Sequence, residues 1–214
     1  DVLALMDQLN YTKVVLIGHS MGGKVAKALA LSHPHRISGL VVMDIAPVTY
    51  TVQDPAWKAV KSIIDALVQL DLSPGKNKRD IDKDLREQVE DPALRAFVLT
   101  NLESASVKEE DEQVEQGLQW KINIEAISSQ LDVIAGFDLN ENSKLSLEEQ
   151  KRMYEGDTFF INGGSSRFVK GIHMPTIAGY FPNYMLTTIR GAGHWVHAEA
   201  PDDTLSLLKK YLDR

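Results

Sequence analysis

Gly18-His19-Ser20-Met21-Gly22 sets a serine between two glycines, and the chain also holds histidines and acids that could activate the serine hydroxyl. Such a hydroxyl is a weak nucleophile unless a base takes its proton, and the base works best when a carboxylate orients it. The GxSxG spacing is the nucleophile-elbow pattern, a turn too tight for flanking side chains, with a strained serine whose oxygen is exposed. A helix following the turn directs its positive end at the site, and the Met21 amide could donate to a developing oxyanion. The chemistry open to this set is acyl transfer.

Three of the six histidines compete as the base, His19 in the elbow and two within Ala192-Gly193-His194-Trp195-Val196-His197-Ala198-Glu199. His194 follows Gly193 at the loop apex and is preferred, and His197 reads as a packed neighbour. His19 lies in the elbow but is directed away from Ser20 and reads as structural; with Trp120 and Trp195 it is also counted among residues bordering a substrate. The acid is less determined. After Phe159-Phe160-Ile161 the chain reads Gly163-Gly164-Ser165-Ser166-Arg167, with no carboxylate. Asp44, in Val42-Met43-Asp44-Ile45-Ala46-Pro47, leaves a strand at the same sheet edge as Ser20 and is favoured, although an Asp there is often a loop hydrogen-bonder. Glu125, otherwise an exposed helix carboxylate, is the alternative.

A frame must bring these residues together. Val14-Val15-Leu16-Ile17 is a β-branched apolar run of strand length, as expected of a strand buried on both faces. Gly22 to Leu31 reads as a helix stopped at His33-Pro34, and Leu40 to Met43 as a second strand, which together make a right-handed βαβ unit. From Thr51 to about Met153 no strand is expected. Trp57, Val60, Ile64 and Leu67 share one helical face, two more helices break near Pro92, and acidic Ser104 to Gln116 reads as a solvated loop or exposed helix face. Trp57, Phe97 and Trp120 could shape an acyl pocket there, though cap packing is the ordinary role. Strands return at Thr158–Ile161 and Met185–Ile189, with a helix over Phe168–Phe181 that Pro175 must start or kink, and a last helix over Asp202–Leu212. The expectation is an α/β fold with a mainly parallel sheet, its core at 1–50 and 154–214, and a helical cap insertion at 51–153.

Composition removes other classes. In 214 residues, 23 basic against 30 acidic side chains leave a net charge of −7, which disfavours a nucleic-acid partner. With no Cys, disulfides, thiolate metal sites and a Cys nucleophile are excluded. No apolar run approaches the ~20 residues that span a bilayer. Asp138 to Glu149 places oxygens at positions 1, 3, 5, 9 and 12 of an EF-hand-like loop, but Ser143 stands where the turn needs Gly and no second loop pairs with it. A polar insert is the expectation there, and neither metal nor cofactor is expected anywhere. Asn10-Tyr11-Thr12 matches a glycosylation sequon and is disregarded.

Gly18-His19-Ser20-Met21-Gly22-Gly23-Lys24, Asp44-Ile45-Ala46-Pro47-Val48, Trp120-Lys121-Ile122-Asn123 and Gly193-His194-Trp195-Val196-His197-Ala198-Glu199 together resemble the α/β-hydrolase superfamily, in its small serine esterase branch. The resemblance implies Ser20 as nucleophile, His194 as base and Asp44 as an acid moved one strand earlier than usual. Some members are assigned an acid where this chain has Glu125. It further implies a small-molecule ester or thioester substrate with a small or medium acyl group, and a cytoplasmic or mitochondrial location. Full members carry strands and an oxyanion loop ahead of the helix beginning here at Asp1, so the chain is expected to start inside a helix and to be impaired as an enzyme. The competing expectation is a non-catalytic binding or interaction protein on the same fold.

Overall fold

A computed structural model of the chain describes residues 1–108, 114–137 and 153–214. In chain order its elements are α1 (Val2–Gln8), β1 (Val14–His19), α2 (Met21–Ser32), β2 (Ile37–Met43), α3 (Pro55–Val68), α4 (Lys78–Asp84), α5 (Pro92–Leu99), β3 (Leu102–Lys108), β4 (Val114–Trp120), α6 (Ile124–Ser129), α7 (Leu131–Ala135), β5 (Thr158–Gly163), α8 (Met174–Tyr180), β6 (Tyr184–Ile189), α9 (Val196–Glu199) and α10 (Pro201–Leu212). They group into two units, residues 1–49 with 136–214, and residues 50–135. The EF-hand-like stretch, 138–149, lies outside the described residues.

The first unit is built on a four-stranded sheet in the order β1-β2-β5-β6, with every neighbouring pair parallel. β2 and β5 take the middle, and their apolar runs are buried. β1 differs from the expected strand buried on both faces: among the described residues it pairs with β2 alone, and it leaves Val15 and Ile17 at 37% and 43% exposure. On one face Val41, Met43, Phe159, Ile161 and Ile189 form a core with Val196 and Tyr211. Tyr211, from α10, stacks on Phe159 and anchors the sheet's start: its hydroxyl accepts from the Leu40 amide (3.0 Å) and donates to the Asp157 carbonyl (2.9 Å). The expected helix over Phe168–Phe181 is shorter. Pro175 sits in the first turn of α8, where its missing N–H costs no helical hydrogen bond, and a 3₁₀ turn over Gly171–His173 precedes it.

In the second unit α3 to α6 bury Leu67, Ile81, Leu85, Val89, Val98 and Ile124 around one apolar cluster. The expectation of helices alone is corrected here: β3 and β4 pair antiparallel, with Leu102 opposite Trp120 and Lys108 opposite Val114. Their mixed, polar sequences carry no β-branched run. What holds this pair against the helices is Leu102, Leu118 and Trp120, which join the cluster.

The β1–α2 turn shows which glycines the elbow needs. A Cβ at Gly18 would stand 2.4 Å from the Gly22 carbonyl oxygen, and one at Gly23 would stand 2.6 Å from Ile45 Cγ2, whereas one at Gly22 would meet nothing within 4 Å. Of the two glycines flanking the serine, only the first is required by space, and Gly23 takes over as the site of close helix–strand approach. Replacing Gly18 by Ala should therefore lower the unfolding free energy by about 2–4 kcal/mol. Gly22→Ala should leave it unchanged or raise it by up to about 1 kcal/mol, since Ala favours a helix. Urea unfolding of the two variants separates these outcomes.

Two lysines on α2 turn inward. Lys27 is wholly buried, donates to the Ile45 carbonyl (2.9 Å) and lies 4.9 Å over the Phe137 ring, while Lys24 donates to the Gly136 carbonyl (3.0 Å). Burial pushes the Lys24 ammonium down to about 8 and that of Lys27 well below the ordinary lysine range. Below pH 8 Lys24 is charged in both folded and unfolded chains, and folding bears the cost of burying that charge. Between pH 8 and the unfolded value near 10.5 the folded chain alone sheds the proton, so stability rises with pH. Lys24→Met should remove that part of the rise, which denaturant unfolding from pH 7 to 10.5 would register as a flatter difference curve.

Candidate functional site

Ser20 stands between β1 and α2 with φ 52° and ψ −119°, a left-handed conformation that a non-glycine residue adopts only when its surroundings impose it. What imposes it is the turn itself: the Ser20 amide donates to the Met43 carbonyl (3.1 Å), and the Ser20 carbonyl already accepts from Lys24 as α2 begins. Met21 is the first helical residue, so its amide has no acceptor within the helix, and its side chain is exposed.

Asp44 ends β2 in a second strained conformation, φ 52°, and is fully buried. Its amide donates to the Ile161 carbonyl (2.9 Å), which turns the carboxylate across the end of β5. There Oδ1 accepts from the Gly163 amide (3.0 Å), while Oδ2 accepts from His194 Nδ1 (2.7 Å) and from the Ser166 hydroxyl. A carboxylate has no proton to give, so His194 Nδ1 carries the hydrogen and Nε2 is left as an acceptor, 2.9 Å from Ser20 Oγ. Ser20, His194 and Asp44 thus form one continuous line of hydrogen bonds.

His194 is held on several sides. The Phe168 ring lies 4.2 Å from its own, at 33°. Its carbonyl accepts from His19 Nε2 (2.9 Å), so His19 ties the elbow to the histidine loop. Burial lowers the His19 pKa below the ordinary histidine value, which favours the neutral ring. Trp195 and His197 complete an aromatic group around His19, at 5.2 and 4.6 Å between ring centres. His197 is exposed, and of the three competing histidines it is His194 that reaches Ser20.

The remaining candidates belong to the second unit. Glu125 is exposed in the first turn of α6, in the second unit, while the carboxylate bonded to His194 is that of Asp44. Trp120 ends β4 and packs on the second unit's apolar cluster. Trp57 is buried and stacked on Tyr50, and Phe97 is exposed. Among the described residues no group of three or more His, Asp or Glu could hold a metal ion, and no helix is long and apolar enough to cross a membrane.

Sequence reasoning missed Gly163, Ser166 and Phe168. Their signal lies in the loop after β5 that carries no acid of its own: Gly163-Gly164-Ser165-Ser166 supplies an amide and a hydroxyl to a carboxylate from the neighbouring strand. A Cβ at Gly163 would stand 2.0 Å from the Gly193 carbonyl oxygen, so this glycine also lets the histidine loop close over the strand end.

Comparison with known proteins places the chain in a family. The sequence pattern of the alpha/beta hydrolase fold matches residues 1–201. The "sn-1-specific diacylglycerol lipase ABHD11" of Danio rerio is 35% identical over 214 residues, 99% of this chain and 61% of its own length. A "Putative esterase/lipase" of Haemophilus influenzae is 28% identical over 100% of this chain and 65% of its own length. The chain therefore spans less than two thirds of either relative. Among solved structures, a "Marine microorganism esterase" superposes with a TM-score of 0.83 at 31% identity, covering 98% of this chain and 74% of that one. By its fold, its elbow and the extent of these matches, the chain belongs to the α/β-hydrolase family.

Proposed function

We propose that the protein is a serine hydrolase that cleaves carboxylic esters or thioesters of small or medium acyl groups. The observation that carries the reading is the line from Ser20 Oγ through both ring nitrogens of His194 to the buried Asp44 carboxylate, at 2.9 and 2.7 Å. Names among the relatives, a diacylglycerol lipase and esterases, support an ester substrate.

In this mechanism Ser20 Oγ attacks the acyl carbon as its proton passes to His194 Nε2. Asp44 keeps the Nδ1–H tautomer in place and stabilises the imidazolium as it forms. The Met21 amide donates to the carbonyl oxygen as negative charge develops there. His194 then gives the proton to the leaving alcohol or thiol, and the acyl group stays on Ser20. Water repeats the sequence against the acyl-enzyme, its proton going to His194 and back to Ser20 as the carboxylic acid leaves. His19 is assigned to holding the His194 carbonyl, and Trp195 stays a candidate for bordering the acyl group.

A fluorophosphonate probe should label the protein, and Ser20→Ala should abolish labelling. Turnover of a p-nitrophenyl ester should fall by about 10⁴-fold in Asp44→Asn, because the amide can hold the wrong tautomer. Glu125→Gln should leave turnover unchanged. Absence of labelling in the unmodified protein would favour the non-catalytic alternative, and a loss in Glu125→Gln that matched Asp44→Asn would reassign the acid.

A further inference from the structure

The loop bearing His194 is fastened by a side chain outside the Ser20–His194–Asp44 line. Glu199, the last residue of α9, turns its carboxylate back over the loop. Oε2 accepts from the Gly193 amide (2.6 Å) and Oε1 from the Trp195 amide (3.0 Å). The two amides that flank His194 in the chain therefore end on the two oxygens of one carboxylate.

α9 is only four residues long, with Trp195 as its N-cap, and so short a helix has little stability of its own. Helix capping alone would explain a bond to the Trp195 amide. It does not explain the shorter bond, which reaches past the cap and past His194 to Gly193. The close fit at Gly193 points the same way, since a Cβ there would stand 3.0 Å from both Glu199 oxygens. Meanwhile the Trp195 carbonyl accepts from the Glu199 amide (2.8 Å), which closes a reciprocal ring around the loop. Neighbouring atoms are also held: Ala192 O accepts from the Ser165 amide (2.8 Å) and His194 O from His19 (2.9 Å).

We propose that Glu199 is a positioning residue for the base: its carboxylate clamps the Gly193 and Trp195 amides and so sets the backbone from which His194 reaches both Ser20 and Asp44. The proposal rests on the hydrolase reading for its rate consequences, but the clamp itself is a statement about the His194 geometry. Each carboxylate oxygen has one amide to accept from. An amide side chain in its place keeps one acceptor and turns an NH₂ group towards the other N–H, so Gln should loosen one side of the clamp and Ala both.

The test compares unmodified protein, Glu199→Gln and Glu199→Ala, each at a temperature where circular dichroism reports it folded. Expected is a fall of about tenfold to a hundredfold in kcat for a p-nitrophenyl ester and in the rate of fluorophosphonate labelling, with KM unchanged, because a base displaced by a fraction of an ångström loses alignment rather than binding. The effect should be larger in Ala than in Gln, and the proton resonance of His194 Nδ1–H should move and broaden in the same order. Rates and resonance equal to those of the unmodified protein, with only the melting temperature lowered, would show a purely structural role and overturn the proposal. Hydrogen exchange in the unmodified protein decides the case even if a variant unfolds: slow exchange at the Gly193 and Trp195 amides is expected, and exchange at the unprotected rate overturns it. If the unmodified protein neither labels nor turns over the ester, the hydrolase reading fails, and the resonance and exchange measurements still decide the clamp.

Discussion

A carboxylate enclosed in protein must have its oxygens met by donors, because a buried charge without partners costs several kcal/mol. Asp44 imposes this constraint on the rest of the first unit. Its three donors come from three places: the Gly163 amide at the end of β5, the Ser166 hydroxyl in the loop beyond, and His194 in the loop after β6. Meeting the needs of one side chain at the end of β2 therefore fixes the outlets of the two strands beyond it. A parallel sheet suits this, since all its strands release their loops at the same edge.

The same edge stores strain. Ser20 and Asp44 both have φ near 52°, and each such residue costs on the order of 1–3 kcal/mol. The cost is tolerated because the amides of both are tied to a neighbouring strand, Ser20 to Met43 and Asp44 to Ile161. These bonds run across the sheet in sequence, from β1 to β2 and from β2 to β5, so each strained residue is anchored to the strand beside its own. Gly18 and Gly23 allow the first anchor, by letting the turn and α2 approach without a Cβ in the way.

The inward lysines of α2 belong to the same economy of buried polar groups. Carbonyls at Ile45 and Gly136 lie just beyond regular elements, where the ladder no longer supplies donors. A helix with small residues facing the sheet leaves room for two long side chains to reach them. The arrangement ties α2, whose first turn carries the Met21 amide, to the chain that leaves β2 just after Asp44.

Local sequence by itself determined the strand–turn–helix around Ser20, the alternation of strands and helices, and the loop holding His194. Those features follow from periodicity, from glycine spacing and from residues adjacent in the chain. The loop after β5 lacks a carboxylate in the sequence itself, which leaves Asp44 at the end of β2 as an acid at the same sheet edge. Only the tertiary structure shows that the carboxylate meeting His194 is that of Asp44, because the contact spans 150 residues of chain. Ser166 and Gly163 gain their roles only when β5 is laid beside β2, and Glu199 only when α9 folds back over its own loop. The pairing of β3 with β4 was hidden for the same reason: its strands are polar and short of β-branched residues, and the register is set by Leu102, Leu118 and Trp120 meeting helices distant in sequence. Periodicity reports what each segment can become, whereas the partners of a buried charge are fixed only when distant segments are packed together.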